Sequence, residues 1–431
     1  MNKYKFGAIL PITLLSYFLI LMDNSIVFTS SVQIGQSLRL SSAELSWVSS
    51  AYTLTFGGFL LLSGRLSDLL GRKKVFLFGL FIFGLSSLII GLSKTAEMVI
   101  LMRAVQGVGS SIIAPTTLAL IMDNYKMGMR QRAISYYGAT AGIGSSVGLL
   151  VGGGLTSLIS WRAGFLINVP FTIILFLLSL HFVKSYERKQ ERIDYLGSIL
   201  SIMGLTGIIY GFTEGNLLLV LTGIVILILF IFREQKTSIP LLPLSLFRNK
   251  VRSGAYVTRL LFMMTMLPFW FFLPQVMQLQ YGFSALQSGM AFLPLTVVNF
   301  LIAMQLPRLT ERFGNSRVLL AGEIVLAIGL VILSFSNISR GYWNAVLIPM
   351  MIIGLGQGLI LAPVTSAGVH DAPKELAGVA SGLTNAMHQI GGPIGLSLII
   401  SITSDFQYEI WIMTIFIVIS IVIVAIFIVE K

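Results

Sequence analysis

Cysteine is absent from the 431 residues, which excludes disulfide frameworks, thiolate nucleophiles and Cys-ligated metal sites. Histidine is nearly absent: His181, His370 and His388 are far apart and form no ligand cluster. Charge is scarce as well, with 11% of residues charged against 55% hydrophobic and a mean hydropathy of +0.90. A water-soluble chain of this length needs far more charge to cover its surface. Most of this one must therefore be solvated by lipid. No nucleotide-binding loop and no long polar segment interrupts the apolar pattern, so a catalytic or sensory domain has nowhere to reside.

What is present is a succession of apolar windows, each long enough to cross a hydrocarbon core as a helix of about 20 residues. They fall near 7–29, 45–64, 74–93, 97–120, 133–157, 164–183, 195–213, 217–232, 253–273, 288–306, 317–336, 342–364, 377–400 and 409–429, which makes fourteen. Lys3 and Lys5 before the first run imitate a signal peptide, but the run continues past Asp23 with no small-residue cleavage site, so it reads as a span.

The formal net charge of +12 is explained by placement. With the N-terminus inside, only Arg39, Lys94, Arg162 and Arg340 fall in outside segments and Arg103 and Arg259 within spans. All the other basic residues lie on the inner face, an asymmetry that orients the chain without invoking nucleic acid. An even span count returns the C-terminus to the cytoplasm.

Two echoes recur about 245 residues apart. Gly64-Arg-Leu-Ser-Asp68-Leu-Leu-Gly71-Arg72-Lys-Lys is repeated in degraded form as Pro307-Arg-Leu-Thr-Glu311-Arg-Phe-Gly314-Asn-Ser-Arg317. Gly107-Val-Gly109 with Ala114-Pro115 pairs with Gly356-Gln-Gly358 and Ala362-Pro363. The expected fold is an all-α polytopic membrane protein. A six-helix bundle over 1–190 and another over 251–431 flank an inserted helix pair over 191–250. Repeated halves with a substrate site between them are the architecture of alternating-access carriers.

The string from Gly64 to Lys74 resembles the signature loop of the major facilitator superfamily. Arg103-x-x-Gln106-Gly107-x-Gly109 resembles its proton-coupling motif in the fourth helix. Gly138 through Gly154, followed by Ser160-Trp-Arg-Ala-Gly-Phe-Leu-Ile-Asn-Val-Pro170, resembles the antiporter motif and following signature of the fourteen-span drug:proton antiporters, the QacA-like and SdrM-like multidrug pumps. Met22-Asp23-Asn24 and Asn385 to Gly395 fall where that group keeps its first-helix and thirteenth-helix motifs. Three departures stand out: residues 28–33 lack the usual Asn and Pro, Leu149 replaces a proline after Gly148, and His388 replaces an arginine before Gln389. The resemblance implies the major facilitator fold, multidrug efflux and a part for Arg103 in proton coupling. It also implies a cytoplasmic latch built on Gly64, Asp68, Gly71 and Arg72.

The residues carry readings of their own. An ionised carboxylate at Asp23, in the outer half of a span, costs at least about 2.5–3.5 kcal/mol, so it is either paired or protonated part of the time. Asp23 is the expected proton site. The bland alternative is a carboxylate satisfied by Ser25 or Thr29. Arg103 cannot release its proton, but it can favour the charged form of a nearby carboxyl in one conformation and leave it in another. Its bland alternative is an arginine that satisfies kinked backbone near Gly109 or Pro115. Asp68 is expected to meet the N-terminus of a helix beginning near Ala377. Lys73 and Lys74 are read as obeying the inside rule only.

Gly138, Gly142, Gly144, Gly148 and Gly152 form two rows at four-residue spacing, a pattern that lets helix backbones approach closely in lipid. Phe269 and Trp270, in a span rich in Met and Phe, are candidates for binding flat or cationic ligands. Asn24, Asn299, Asn385, His388 and Gln389 are candidate cavity-lining groups, because polar side chains turned to lipid are costly. Glu323 and Arg259 are placed near cytoplasmic ends, where they can snorkel. Glu214, Asp405 and Glu409 are read as outer-surface charges.

The function expected from all this is proton-coupled efflux of lipophilic, often cationic, drugs across the bacterial cell membrane. The expected protein is a monomer without cofactor or metal, driven by the proton gradient. The competing expectations are a proton-linked carrier of one metabolite or siderophore and, more remotely, a polytopic membrane enzyme or sensor.

Overall fold

The structure of the protein, a computed structural model, describes residues 6–184, 194–237, 240–373 and 376–429; the side chains of Asp68, Met127 and Ala141 lie outside the description. The described residues are helical throughout and divide into two compact units, Met1–Ser198 and Ile199–Lys431.

Unit 1 holds α1 (Ile9–Leu38), α2 (Ser42–Leu70), α3 (Arg72–Leu92), α4 (Ala96–Asn124), α5 (Met127–Leu158), α6 (Trp161–Leu166) and α7 (Asn168–Phe182). The unit boundary falls within α8 (Tyr195–Thr213), which is followed by α9 (Leu217–Lys236). Unit 2 continues with α10 (Lys250–Leu279), α11 (Ala285–Ala291), α12 (Leu293–Phe313), α13 (Asn315–Phe335), α14 (Tyr342–Ala345), α15 (Leu347–Gly368), α16 (Ala377–Ile402) and α17 (Phe406–Ile423). The last of these runs on as a π-helical turn over Val424–Ile428.

Helix ends follow capping chemistry. Ser41 and Ser284 each form a capping box, with Glu44 and Gln287 as the reciprocal partners. Pro170, in the first turn of α7, has no N–H to lose there, which favours a fresh helix start after the short α6. Gly71 and Gly314 connect α2 to α3 and α12 to α13 at φ of 93° and 83°, a left-handed region that a side chain would strain.

Thirteen helical segments among the described residues are long and apolar enough to cross a membrane. The 26-residue α16 is long enough but is not one of them, because Asn385, His388 and Gln389 interrupt its apolar run. Large hydrophobic side chains are widely exposed on the outer helix faces, among them Phe78, Phe81, Leu92, Leu221, Phe232 and Met304. In water such a surface would aggregate; in lipid it is solvated.

The two units repeat one packing scheme. In unit 1, α1 packs on α5, α2 and α3 pack on α4, and α3 packs on α7; in unit 2, α10 packs on α16, α12 and α13 on α15, and α13 on α17. Glycine contacts fix the register. A Cβ on Gly109 would meet Phe83 N and Gly79 O, and one on Gly356 would meet Leu326 N and Gly322 O. A Cβ on Gly107 would meet Tyr52 O, and one on Gly354 would meet Leu295 O. The counterpart of Gly107 and Gly109 is therefore Gly354 and Gly356, two residues earlier than the Gly356 and Gly358 pairing expected from the sequence. On the first helices, Gly148 approaches Met22 O and Gly395 approaches Met264 O, so Asp23 corresponds to Thr265. The remaining two helices, α8 and α9, lock together through Gly204, Gly207, Gly211 and Gly223.

Candidate functional site

The candidate site is a fully buried polar network inside unit 1. Asp23 lies near the middle of α1, and Arg103 in the second turn of α4 reaches it: Arg103 Nη1 donates to Asp23 Oδ2 at 2.7 Å, with both side chains at 0% exposure. Gln106, one turn further along α4, accepts from Arg103 Nη1 at 2.6 Å and donates to Asp23 Oδ1 at 2.9 Å and Ser87 Oγ at 2.8 Å. Asn168, the first residue of α7, donates to Asp23 Oδ1 at 2.6 Å. Arg103 Nε donates to Val48 O at 2.9 Å, and the guanidinium lies 4.1 Å over the Tyr52 ring, whose hydroxyl is 2.8 Å from Ser110 Oγ. Phe165 covers a further side at 5.7 Å.

Every described neighbour of the Asp23 carboxyl is a donor, so this conformation suits a carboxylate. Thr29 donates to its own backbone at Ile26 O, and Arg103 takes the carbonyl of Val48 in α2 rather than one near Gly109 or Pro115. Arg103 Nη2 and Asn168 Oδ1 make no hydrogen bond among the described residues. The guanidinium thus keeps a donor in reserve, in a low-dielectric setting where ion pairs are strong but costly to assemble.

Packing brings α5 onto the acid-bearing turn. Cβ atoms on Gly144, Gly148 and Gly152 would fall 3.0 Å from Leu21 Cβ, 2.6 Å from Met22 O and 2.7 Å from Ile26 Cα. One glycine row therefore seats α1 around Asp23. The other row, Gly138 and Gly142, has nothing within 4 Å.

At the α2–α3 junction, Arg72 donates to Ala119 O at 2.9 Å and pairs with Asp123 near the end of α4. Asp123 carries no motif and was not anticipated. Lys73 does more than obey the inside rule, since it donates to Leu180 O of α7 at 2.7 Å. Gly64 has open space around it. The side chain of Asp68 lies outside the described residues, although the helix expected to face it does start at Ala377.

The expected cavity residues scatter. Phe269 is fully buried in unit 2, edge-on to Phe292 at 6.2 Å. Asn24, Trp270, Asn299, His388 and Gln389 are half-buried and Asn385 is exposed. His388 Nδ1 finds no hydrogen-bond partner among the described residues. Three charge placements need correction. Glu323 is fully buried and cannot snorkel, Glu409 is buried at 5% exposure in the first turn of α17, and Arg259 too lies within the packing; Asp405 is exposed, as expected, and caps α17 by accepting from Gln407 N and Tyr408 N. Arg259 is buried at 7% exposure and reaches Leu361 O at 3.4 Å.

In the register fixed by the glycines, five members of the network are replaced in unit 2. Thr265 stands for Asp23, Met350 for Arg103, Ile353 for Gln106, Leu330 for Ser87 and Leu295 for Tyr52. The scaffold packs without these polar groups.

Many apolar spans and two units that repeat one packing scheme define a polytopic membrane protein of the transporter class. The sequence pattern of the Major Facilitator Superfamily matches residues 13–396, and the chain belongs to that superfamily. It is 32% identical to the cephamycin export protein CmcT of Amycolatopsis lactamdurans, over 90% of this chain and 83% of that protein. It is 32% identical to the puromycin resistance protein pur8 of Streptomyces alboniger, over 92% and 81%. Among solved structures, the D-xylose-proton symporter matches with a TM-score of 0.72 at 13% identity, covering 98% of both chains. The POT family transporter PepTSo gives 0.71 at 14%, covering 98% of this chain and 97% of its own; both likenesses concern the fold. The protein is thus a multi-pass protein of the bacterial inner membrane.

Proposed function

We propose that this protein exports lipophilic, often cationic, drugs in exchange for protons, with Asp23 as the proton-binding group and Arg103 as its conformational partner. The observation that carries the reading is the fully buried Asp23–Arg103 pair, which stands where unit 2 has Thr265 and Met350. Export and resistance proteins for cephamycin and puromycin, at 32% identity over most of the chain, support drugs as the substrate class.

The chemistry follows from charge. While Asp23 is ionised, Arg103, Gln106 and Asn168 hold α1, α4 and α7 together. A proton on Asp23 removes the anion that the guanidinium attracts, and the helices become free to shift. Binding and release of that proton on opposite faces would let the proton gradient drive alternating access. Fourteen spans, with both termini cytoplasmic, complete the reading: α16 supplies the span that hydropathy alone omits, and the basic residues set the orientation. The protein works as a monomer and needs no cofactor beyond the proton gradient. Asn24, Trp270, Asn299, Asn385, His388 and Gln389 are retained as candidate drug contacts.

The test is ethidium accumulation in cells expressing the protein. Export that lowers accumulation and stops on adding a protonophore supports the reading. Export that survives the protonophore contradicts it, and no export of any dye favours a carrier of a single metabolite.

A further inference from the structure

Glu323 sits about 12 Å along α13, given a rise of 1.5 Å per residue. Its side chain is at 0% exposure, and neither carboxyl oxygen has a hydrogen-bond partner among the described residues. Ser420 of α17 faces it, and that hydroxyl likewise has no hydrogen-bond partner among the described residues. The elements packed against α13 are α12, α15, α17 and the π-helical turn. Neither α15 nor the π-turn carries a charged residue, and α17 carries only Glu409, eleven positions before Ser420. The charges of α12, Arg308, Glu311 and Arg312, are exposed in its last two turns, as is Arg317 near the start of α13. Among the described residues no cation compensates Glu323. An isolated carboxylate in such a place would pay a desolvation cost that proteins avoid by keeping the group neutral.

Packing does not ask for a carboxyl here. Gly79 and Gly322 approach corresponding residues of α4 and α15, Ile112 and Ile113 in one unit and Leu359 and Ile360 in the other. Glu323 therefore stands where unit 1 has Leu80, a buried leucine. A fold that packs a leucine at this point of the repeat gains nothing from glutamic acid as filler.

The geometry points to Glu323 as a second proton-binding site: it holds a proton while α13, α15 and α17 are closed around it, and exchanges that proton when the packing opens. Its proton binding stands on the packing of unit 2, and its use in transport rests on the antiport reading.

Infrared spectra of the full-length protein in liposomes at neutral pH test it. The expected result is a protonated-carboxyl carbonyl band that is kept in Asp23→Asn, lost in Glu323→Gln and Glu323→Leu, and shifted in Glu323→Asp. The Leu variant carries the residue that the repeat already tolerates, so folding is preserved. The band is further expected to respond to an imposed pH gradient. Spectra of the Glu323 variants that superimpose on wild type would overturn the proposal, as would a band indifferent to a gradient of either sign. A responsive band in a protein that moves no dye would sink the drug-antiport reading and leave Glu323 as a proton site.

Discussion

Thr265 occupies in unit 2 the place that Asp23 occupies in unit 1, one residue after a methionine whose carbonyl meets a glycine of the fifth helix of its bundle. Thr265 donates to Leu261 O and Met413 O at 3.1 and 3.2 Å and needs no ionic partner. The pair of residues separates what the bundle requires from what the proposed exchange would require.

Asp23→Asn alone leaves Arg103 buried without its counter-charge, and is expected to cost about 3–5 kcal/mol. The double variant Asp23→Thr with Arg103→Met installs the residues of unit 2 and is expected to recover most of that loss while remaining unable to couple. Thermal unfolding of the detergent-solubilised proteins, read beside dye transport, checks both halves of the statement.

Asn168→Ala removes the 2.6 Å donor to Asp23 and leaves Gln106 alone on that oxygen. The expected loss is about 1–3 kcal/mol, the cost of an under-satisfied buried acceptor. Asn168→Asp sets a second carboxyl against Asp23 and is expected to abolish transport. Unfolding curves and ethidium efflux decide.

Gly148→Ala places a methyl 2.6 Å from Met22 O, a backbone atom that cannot move without moving α1. Transport should fall at least tenfold. Gly142→Ala, with nothing within 4 Å, should keep transport and gain up to about 1 kcal/mol from helix propensity. Equal behaviour of the two variants would remove the packing argument.

Asp123→Asn breaks the pair with Arg72, whose side chains are 16% and 27% exposed for Arg72 and Asp123, so screening limits its effect to below about 1 kcal/mol. Gly71→Ala forces a side chain into φ of 93° and should cost about 1–2 kcal/mol. Paired unfolding measurements rank them.

Much of this was legible in the sequence because lipid makes charge conspicuous. Asp23 and Arg103 announce themselves as lone charges within apolar runs, and the glycine spacing of α5 announces close packing. Asn168 lay in plain view within the Ser160–Pro170 string but carried no charge to mark it. Ser87 and Tyr52 are ordinary residues of membrane helices until the fold turns them inward. Glu323 was misplaced because a linear pattern gives depth along a helix but not the face it presents. The register of the repeat needed Gly354, which only the contact with Leu295 reveals. Hydropathy overlooks α16 for the same reason that makes it interesting, the polar groups Asn385, His388 and Gln389.

The most direct measurement follows ethidium and a pH-sensitive dye together in liposomes holding purified protein under an imposed pH gradient, wild type beside Asp23→Asn. The account predicts ethidium movement against its own gradient, tied to proton counterflow in the wild type, with both lost in the variant. Coupled exchange that persists in Asp23→Asn would contradict it.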